Sequence, residues 1–192
     1  MTDAIGSAMT ELSTPGLPIE QAFTSVPNHP GLYAVHAELG IWSLLGLEPR
    51  PIGVPLYVGK AEDSLVSRDL RTHFASGRTG SSTLRRSFAA LLRQELKLEA
   101  IPRNPANPGH FSSFGLEPEG DQRLSSWMCD NLSLATWSRP QGVALRHVEV
   151  ALLRAWAPPL NLTDVPAPWR RLKSLRSEMA AEARAWRRAD TG

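Results

Sequence analysis

Two short stretches, Gly31-Leu32-Tyr33 and, after an interval, Tyr57-Val58-Gly59-Lys60, decide how the rest of this chain is read. Asn28-His29-Pro30 is a turn signal, and after it Leu32, Ala34 and His36 alternate with Tyr33, Val35 and Ala37, the period of a strand. Residues 55–61 repeat the pattern, with Tyr57 and Gly59 on one face and Leu56 and Val58 on the other. Paired antiparallel as a hairpin, the two strands bring both tyrosines to one side. A tyrosine on a strand is ordinary, because aromatic side chains suit a pleated, half-buried surface. The residues that follow carry more weight: Lys60, then Arg68, Arg71 and His73 on a helical segment, and a lone Glu149 in a later apolar helix. Together they make an inventory for phosphodiester chemistry.

Outward from the hairpin, residues 1–27 are rich in Ser, Thr, Pro and Gly without a sustained period, and read as an arm, loose or laid against the body. Residues 38–54 form an insertion between the strands. Asp63 or Ser64 opens a helix with Leu65, Val66, Leu70 and Phe74 on one flank and Arg68 and Arg71 on another. His73 falls near its end, where the helix dipole favours a cation. A second helix opens at Ser82 or Thr83, with Leu84, Phe88, Leu91 and Leu92 as its buried stripe. Its N-terminus, beside Arg78, Arg85 and Arg86, is a place where a phosphate can be received, whereas Arg93 and Lys97 read as a solvated face. Residues 101–120 are an irregular loop. A helix over 121–131, a strand over 132–137, a helix over 141–156 and a terminal amphipathic helix over 168–188 complete the chain.

Glu149 has Leu145, Leu152 and Leu153 one turn away, with Arg146 at the remaining position. A carboxylate in that setting is costly unless it is paired, hydrogen-bonded or bound to a cation. Two readings follow: an intrahelical pair with Arg146, or a ligand for a hard divalent cation, which takes carboxylate oxygen and keeps most of its waters. Asn161, just past Pro158-Pro159, reads by itself as a turn residue.

Composition narrows the classes. The 192 residues, 42% hydrophobic, suffice for one sizeable core. Cys129 is the single cysteine, so no intrachain disulfide or cysteine-based zinc finger can form, and a cytoplasmic setting is expected. No run approaches a membrane span, and residues 1–10 lack the blocks of a secretion signal. The histidines do not fall into zinc-ligand spacing, and neither a nucleotide-binding glycine loop nor a nucleophile elbow occurs. Net charge is only +2, but residues 51–100 and 151–192 are basic while residues 1–50 are acidic. All basic residues except Lys60, Lys97 and Lys173 are arginines, whose planar fork suits phosphate, although a coding bias explains the preference equally well.

In this order and context the motifs resemble those of the GIY-YIG nuclease superfamily: Gly31-Leu32-Tyr33, Tyr57-Val58-Gly59, an arginine on the next helix, a glutamate on a later helix and an asparagine after it. The resemblance spans residues 29–162, with residues 1–28 as an N-terminal arm and 163–192 as a C-terminal helix packed on the domain or on a partner. It implies an α+β fold with a small three-stranded antiparallel sheet flanked by helices. It also implies a divalent-metal-dependent endonuclease, most simply one acting on DNA in restriction, repair or defence. Glu149 would bind Mg²⁺ or Mn²⁺, Tyr33 would take the proton of the attacking water, and Arg68 would hold the phosphoryl oxygens. Tyr57, Gly59 and Lys60 would orient water and phosphate, His73 would assist proton transfer, and Asn161 would brace the site. Further phosphate contacts would come from Arg71, Arg78, Arg85 and Arg86. Counted back from His73, the family's arginine falls on Asp69, so either Arg68 or Arg71 fills the role, and Arg68 is preferred. The interval from Tyr33 to Tyr57 is longer than in compact members, and the insertion at 38–54 accounts for it. A homodimer would allow cuts on two strands. The rival readings are a module that binds nucleic acid without cutting it and a scaffold reused for small-molecule chemistry.

Overall fold

The computed structural model describes residues 2–65 and 72–186, the side chains of residues 2 and 23 excepted. The chain divides into two compact units, Met1–Phe74 with Met128–Trp169, and Ala75–Trp127 with Arg170–Gly192.

The first unit contains α1 (Thr2–Ser13), β1 (Leu17–Pro18), α2 (Ile19–Ser25), β2 (Gly31–His36), α3 (Leu39–Leu44) and β3 (Tyr57–Ala61). A later strand (Ser133–Ser138) and helix (Leu145–Trp156) complete it; in chain order these are β6 and α6. Its sheet has the order β1-β6-β2-β3 and is antiparallel throughout. The hairpin expected from the alternation is present, with Tyr33 opposite Gly59 and Val35 opposite Tyr57. β6 takes the other side of β2, and these three strands are the small sheet that the resemblance implies. A fourth, two-residue edge strand is added, because Leu17 and Pro18 pair with Leu134 and Ser133.

All six residues of β2 are buried, so both faces of the central strand are covered. On one face Leu32, Ala34, Val58, Ala135 and Trp137 meet Ala8 and Leu12 of α1 and Leu145, Val148, Leu152 and Leu153 of α6. Trp137 Nε1 donates to Ser7 Oγ at 3.1 Å. Residues 1–27, which show no sustained period, therefore hold a core helix whose contribution comes from a few small and aliphatic positions.

α6 starts at Leu145, later than the expected 141. Gly142 adopts φ +77°, and Val143 N donates to Pro140 O at 3.2 Å, so residues 140–143 are a turn. The helix ends at Ala157, in the left-handed region at φ +46°, before two prolines that cannot continue it. The chain then runs along the outer edge of β3. Leu160 N donates to Leu56 O at 3.0 Å, and Asn161 bonds both backbone groups of Val58, accepting from its N–H at 2.9 Å and donating to its carbonyl at 2.8 Å. The edge of the sheet is thereby paired at Leu56 and Val58.

The second unit contains α4 (Thr83–Leu91), a two-stranded ladder of β4 (Ala100–Ile101) and β5 (Gly115–Leu116), most of α5 (Pro118–Asn131) and α7 (Arg170–Ala185). Ser82 caps α4 by accepting from Arg85 N at 3.0 Å. α5 starts at Pro118, ahead of the expected 121, since proline in a first turn lacks only an N–H that would be orphaned there. The loop expected over 101–120 is closed by the β4–β5 ladder and holds a 3₁₀ turn at Phe111–Ser113. α7 corresponds to the helix expected over 168–188.

Candidate active site

Tyr33, Tyr57, Gly59, Lys60 and Glu149 line one open cavity of about 440 Å³ in the first unit, together with Glu62, Asp63, Ser64 and Thr72. Strand alternation puts Tyr57 and Gly59 on the face that carries Tyr33, and Lys60 on the face toward α6. The cavity is thus lined from both sides of the edge strand β3.

The register explains the pose of Tyr33. A Cβ on Gly59 would stand 2.4 Å from both Cζ and Oη of Tyr33, a distance that real Cβ contacts do not show. Only glycine lets the ring lie across the neighbouring strand. Tyr33 is 1% exposed, and its Oη is 2.6 Å from Nε2 of the fully buried His73. The two rings are 5.5 Å apart between centroids, and Tyr57 stands 6.1 Å from Tyr33 and 6.4 Å from His73. Residues 72–74 lie in a π-helical turn, a feature that often marks functional positions. A phenol and an imidazole at hydrogen-bond distance can pass a proton, in the direction the imidazole tautomer sets.

Glu149 is 8% exposed on α6. Its Oε2 accepts from Arg146 Nη1 at 3.2 Å, and Arg146 Nη2 reaches Asp164 Oδ1 at 2.7 Å, so one guanidinium forks across two carboxylates. Burial pushes the Glu149 carboxyl above the usual carboxylate range; the Arg146 hydrogen bond and the charge of Lys60 offset part of that rise. Glu149 is thus paired with Arg146, as one of its two readings in the sequence expects, and it also lines the cavity. Lys60 is itself paired with Glu62.

Among the described residues no three His, Cys, Asp or Glu side chains converge on one point. A cation at Glu149 would rest on one carboxylate plus water and substrate oxygens, a donor set that suits Mg²⁺ or Mn²⁺ and not zinc. The partly compensated charge of the buried Glu149 fits such an ion.

The remaining candidates fall into three groups. Asn161 holds Val58, the residue before Gly59, through its two bonds. Arg68 and Arg71 lie outside the described residues. Arg78, Arg85 and Arg86 belong to the second unit, where Arg78 is exposed. Arg85 has no exposed surface; it pairs with Asp121 at 3.1 Å and donates to Thr79 Oγ1 and Ser125 Oγ at 3.0 Å each. Arg86 Nη1 donates to the carbonyls of Thr79 and Gly80 at 3.1 and 2.9 Å. These two arginines tie the 76–82 loop to its own unit.

Sequence reasoning missed Asp164, Thr72 and the acidic pair Glu62 and Asp63. Glu62, two residues beyond Lys60 and just past the end of β3, could have been found by extending the alternation of that strand. Asp164, eighteen residues from Arg146 in an irregular segment, carries no local signal.

A family model described as the GIY-YIG catalytic domain matches residues 52–179, which is two thirds of the chain. No curated protein and no solved structure matches the chain.

Proposed function

Since the chain belongs to the GIY-YIG catalytic-domain family, a nuclease-type fold and function, we propose that it is a divalent-metal-dependent endonuclease that hydrolyses DNA. The observation that carries this reading is the 2.6 Å contact between Tyr33 Oη and His73 Nε2 behind a cavity that also presents Glu149.

Glu149 would hold Mg²⁺ or Mn²⁺. The bound ion supplies Lewis-acid charge at the scissile phosphate and the leaving oxygen. Tyr33 accepts a proton from the attacking water while its own phenolic proton passes to Nε2 of His73. The water oxygen bonds to phosphorus as the bond to the leaving oxygen breaks. Tyr57 orients the water. Lys60, released from Glu62, meets the phosphate, and Gly59 leaves room for the Tyr33 ring that faces the attacking water. Arg68, or Arg71 in the neighbouring register, holds the phosphoryl oxygens as charge builds. Asn161 keeps β3 in register for all of these. Restriction, repair or defence is the role such an activity suits, with a homodimer as the form that cuts two strands.

The test is incubation of the purified protein with plasmid, single-stranded DNA and structured RNA, with Mg²⁺, Mn²⁺ or chelator, beside Glu149→Ala. Metal-dependent cleavage of DNA, lost in the variant, is expected. No cleavage with either metal, or equal cleavage by the variant, would overturn the proposal, and cleavage confined to RNA would overturn the DNA assignment alone.

A further inference from the structure

The two units interleave along the chain, so their separate charges are not visible in sequence order. Residues 75–127 and 170–192 carry 14 Lys and Arg against 8 Asp and Glu, whereas the unit that holds the cavity carries 7 against 11. A polyanion gains its electrostatic attraction from the second unit.

Within that unit Arg184 lies over an aromatic ring, and Arg78 and Arg103 lie on a turn next to it. Arg103 Nη2 donates to Ser81 Oγ at 3.1 Å, and its side chain covers Gly80, where an added Cβ would stand 2.5 Å from Arg103 Cγ. Arg103 therefore lies on the 3₁₀ turn Thr79–Ser81, directly after Arg78. Both arginines are exposed, and neither is ion-paired with a carboxylate among the described residues. That turn abuts the Phe111–Ser113 turn, which in turn abuts α7. Here a cavity of about 370 Å³ is lined by Pro102, Pro105, Pro108, Phe111, Arg184 and Trp186. The guanidinium carbon of Arg184 sits 5.4 Å from the centre of the Phe111 ring.

Flat apolar faces interleaved with guanidinium groups are the chemistry of a surface on which bases stack while flanking phosphates are neutralised. A duplex keeps its base faces covered, so such a hollow selects a single strand or a frayed end. Resting on the reading of the protein as a nuclease, we propose that this cavity holds one nucleic-acid strand. An unstacked base lies against Phe111, Trp186 and Arg184, and the adjoining phosphates meet Arg78 and Arg103.

The two kinds of contact have different salt signatures, which makes the site testable. A labelled short oligonucleotide, single-stranded or annealed, is titrated with protein in chelator at several salt concentrations. The wild type is expected to bind the single strand more tightly. Replacing Arg78 and Arg103 together by Ala should weaken binding and flatten the log–log salt slope by about 1.4, the release expected for two single-strand phosphate contacts. Phe111→Ala and Trp186→Ala should each weaken binding about tenfold and leave the slope unchanged, because stacking releases no counterions. Trp186→Phe should restore most of the loss, which separates stacking from a folding defect. Unchanged affinity in variants that melt like the wild type, or equal binding of the duplex, would overturn the site. If the wild type cleaves DNA and these variants bind normally, only this inference fails; if the wild type binds no strand at low salt, the nuclease reading fails with it.

Discussion

Replacing Asn161 by Ala removes two hydrogen bonds at once. Its side chain accepts from Val58 N at 2.9 Å and donates to Val58 O at 2.8 Å, and Val58 is fully buried. A buried backbone group left without a partner costs about 1–3 kcal/mol. Two such groups, partly relieved by relaxation around the space the side chain leaves at the edge of the sheet, give a loss of about 2–4 kcal/mol. For a chain of this length each kcal/mol moves Tm by roughly 2–4 °C, so the variant should melt about 5–15 °C lower. Asn161→Asp is the sharper arm, for it keeps the acceptor facing Val58 N but sets a second acceptor against Val58 O. It should be at least as destabilised as the alanine variant at neutral pH. Thermal melts and urea titrations measure both, and cleavage assays well below Tm show whether the rate falls further than the folded fraction does. An alanine variant within about 0.5 kcal/mol of wild type, or an aspartate variant that melts normally, would refute the two-way pairing.

Gly59→Ala forces a methyl into the Tyr33 ring, an overpacking cost of about 1–3 kcal/mol, and should lower the cleavage rate while leaving Mg²⁺-induced stabilisation in place; an unchanged rate would show that the pose of Tyr33 does not matter. Glu149→Gln should raise Tm at neutral pH in chelator. The Glu149 carboxyl is raised mainly by burial, so its favourable contribution is complete below the unfolded carboxyl pKa and is lost as pH rises through the folded one. The gain should therefore vanish in acid, and Mg²⁺ should reverse the order by stabilising only the wild type; a variant that melts lower in chelator at neutral pH contradicts the argument. Burial lowers the pKa of His36, whose Nε2 lies 2.9 Å from the Leu12 carbonyl at the end of α1. The stability that neutral His36 contributes is present above the unfolded value near 6.5 and lost as pH falls below it, so amides of α1 should exchange faster at pH 5.5 than at 7.5, after correction for intrinsic rates. The same pH dependence in His36→Gln would assign the effect elsewhere.

The parts legible in the sequence were those with a short-range cause. Alternation gave the β2–β3 hairpin, Ser82 marked the start of α4, and two prolines marked the end of α6. Tertiary context set the rest. Nothing in residues 2–13 announces a core helix, because Ala8 and Leu12 acquire their weight only against Trp137 and α6. Arg85 and Arg86 look alike on a helix opposite a buried stripe. The carboxylate of Asp121 and the hydroxyls of Thr79 and Ser125 hold Arg85 wholly inside, and Asp121 and Ser125 come from a distant helix. The contact between Tyr33 and His73 joins residues forty apart, and spacing cannot supply it.

Glu149 is a local anomaly that its surroundings compensate only in part. Its neighbours on α6 make a carboxylate costly, and the intrahelical Arg146 offsets part of that cost. Yet Arg146 is half exposed, and its shorter bond runs to Asp164. The charge that steadies Glu149 is thus shared with a second carboxylate, and Glu149 Oε1 has no hydrogen-bond partner among the described residues. If packing alone governed this position, glutamine could keep a bond to Arg146 through its amide oxygen without the buried charge. Glutamate here leaves a partly compensated negative charge at the wall of the cavity, which is what a hard cation needs and a core does not.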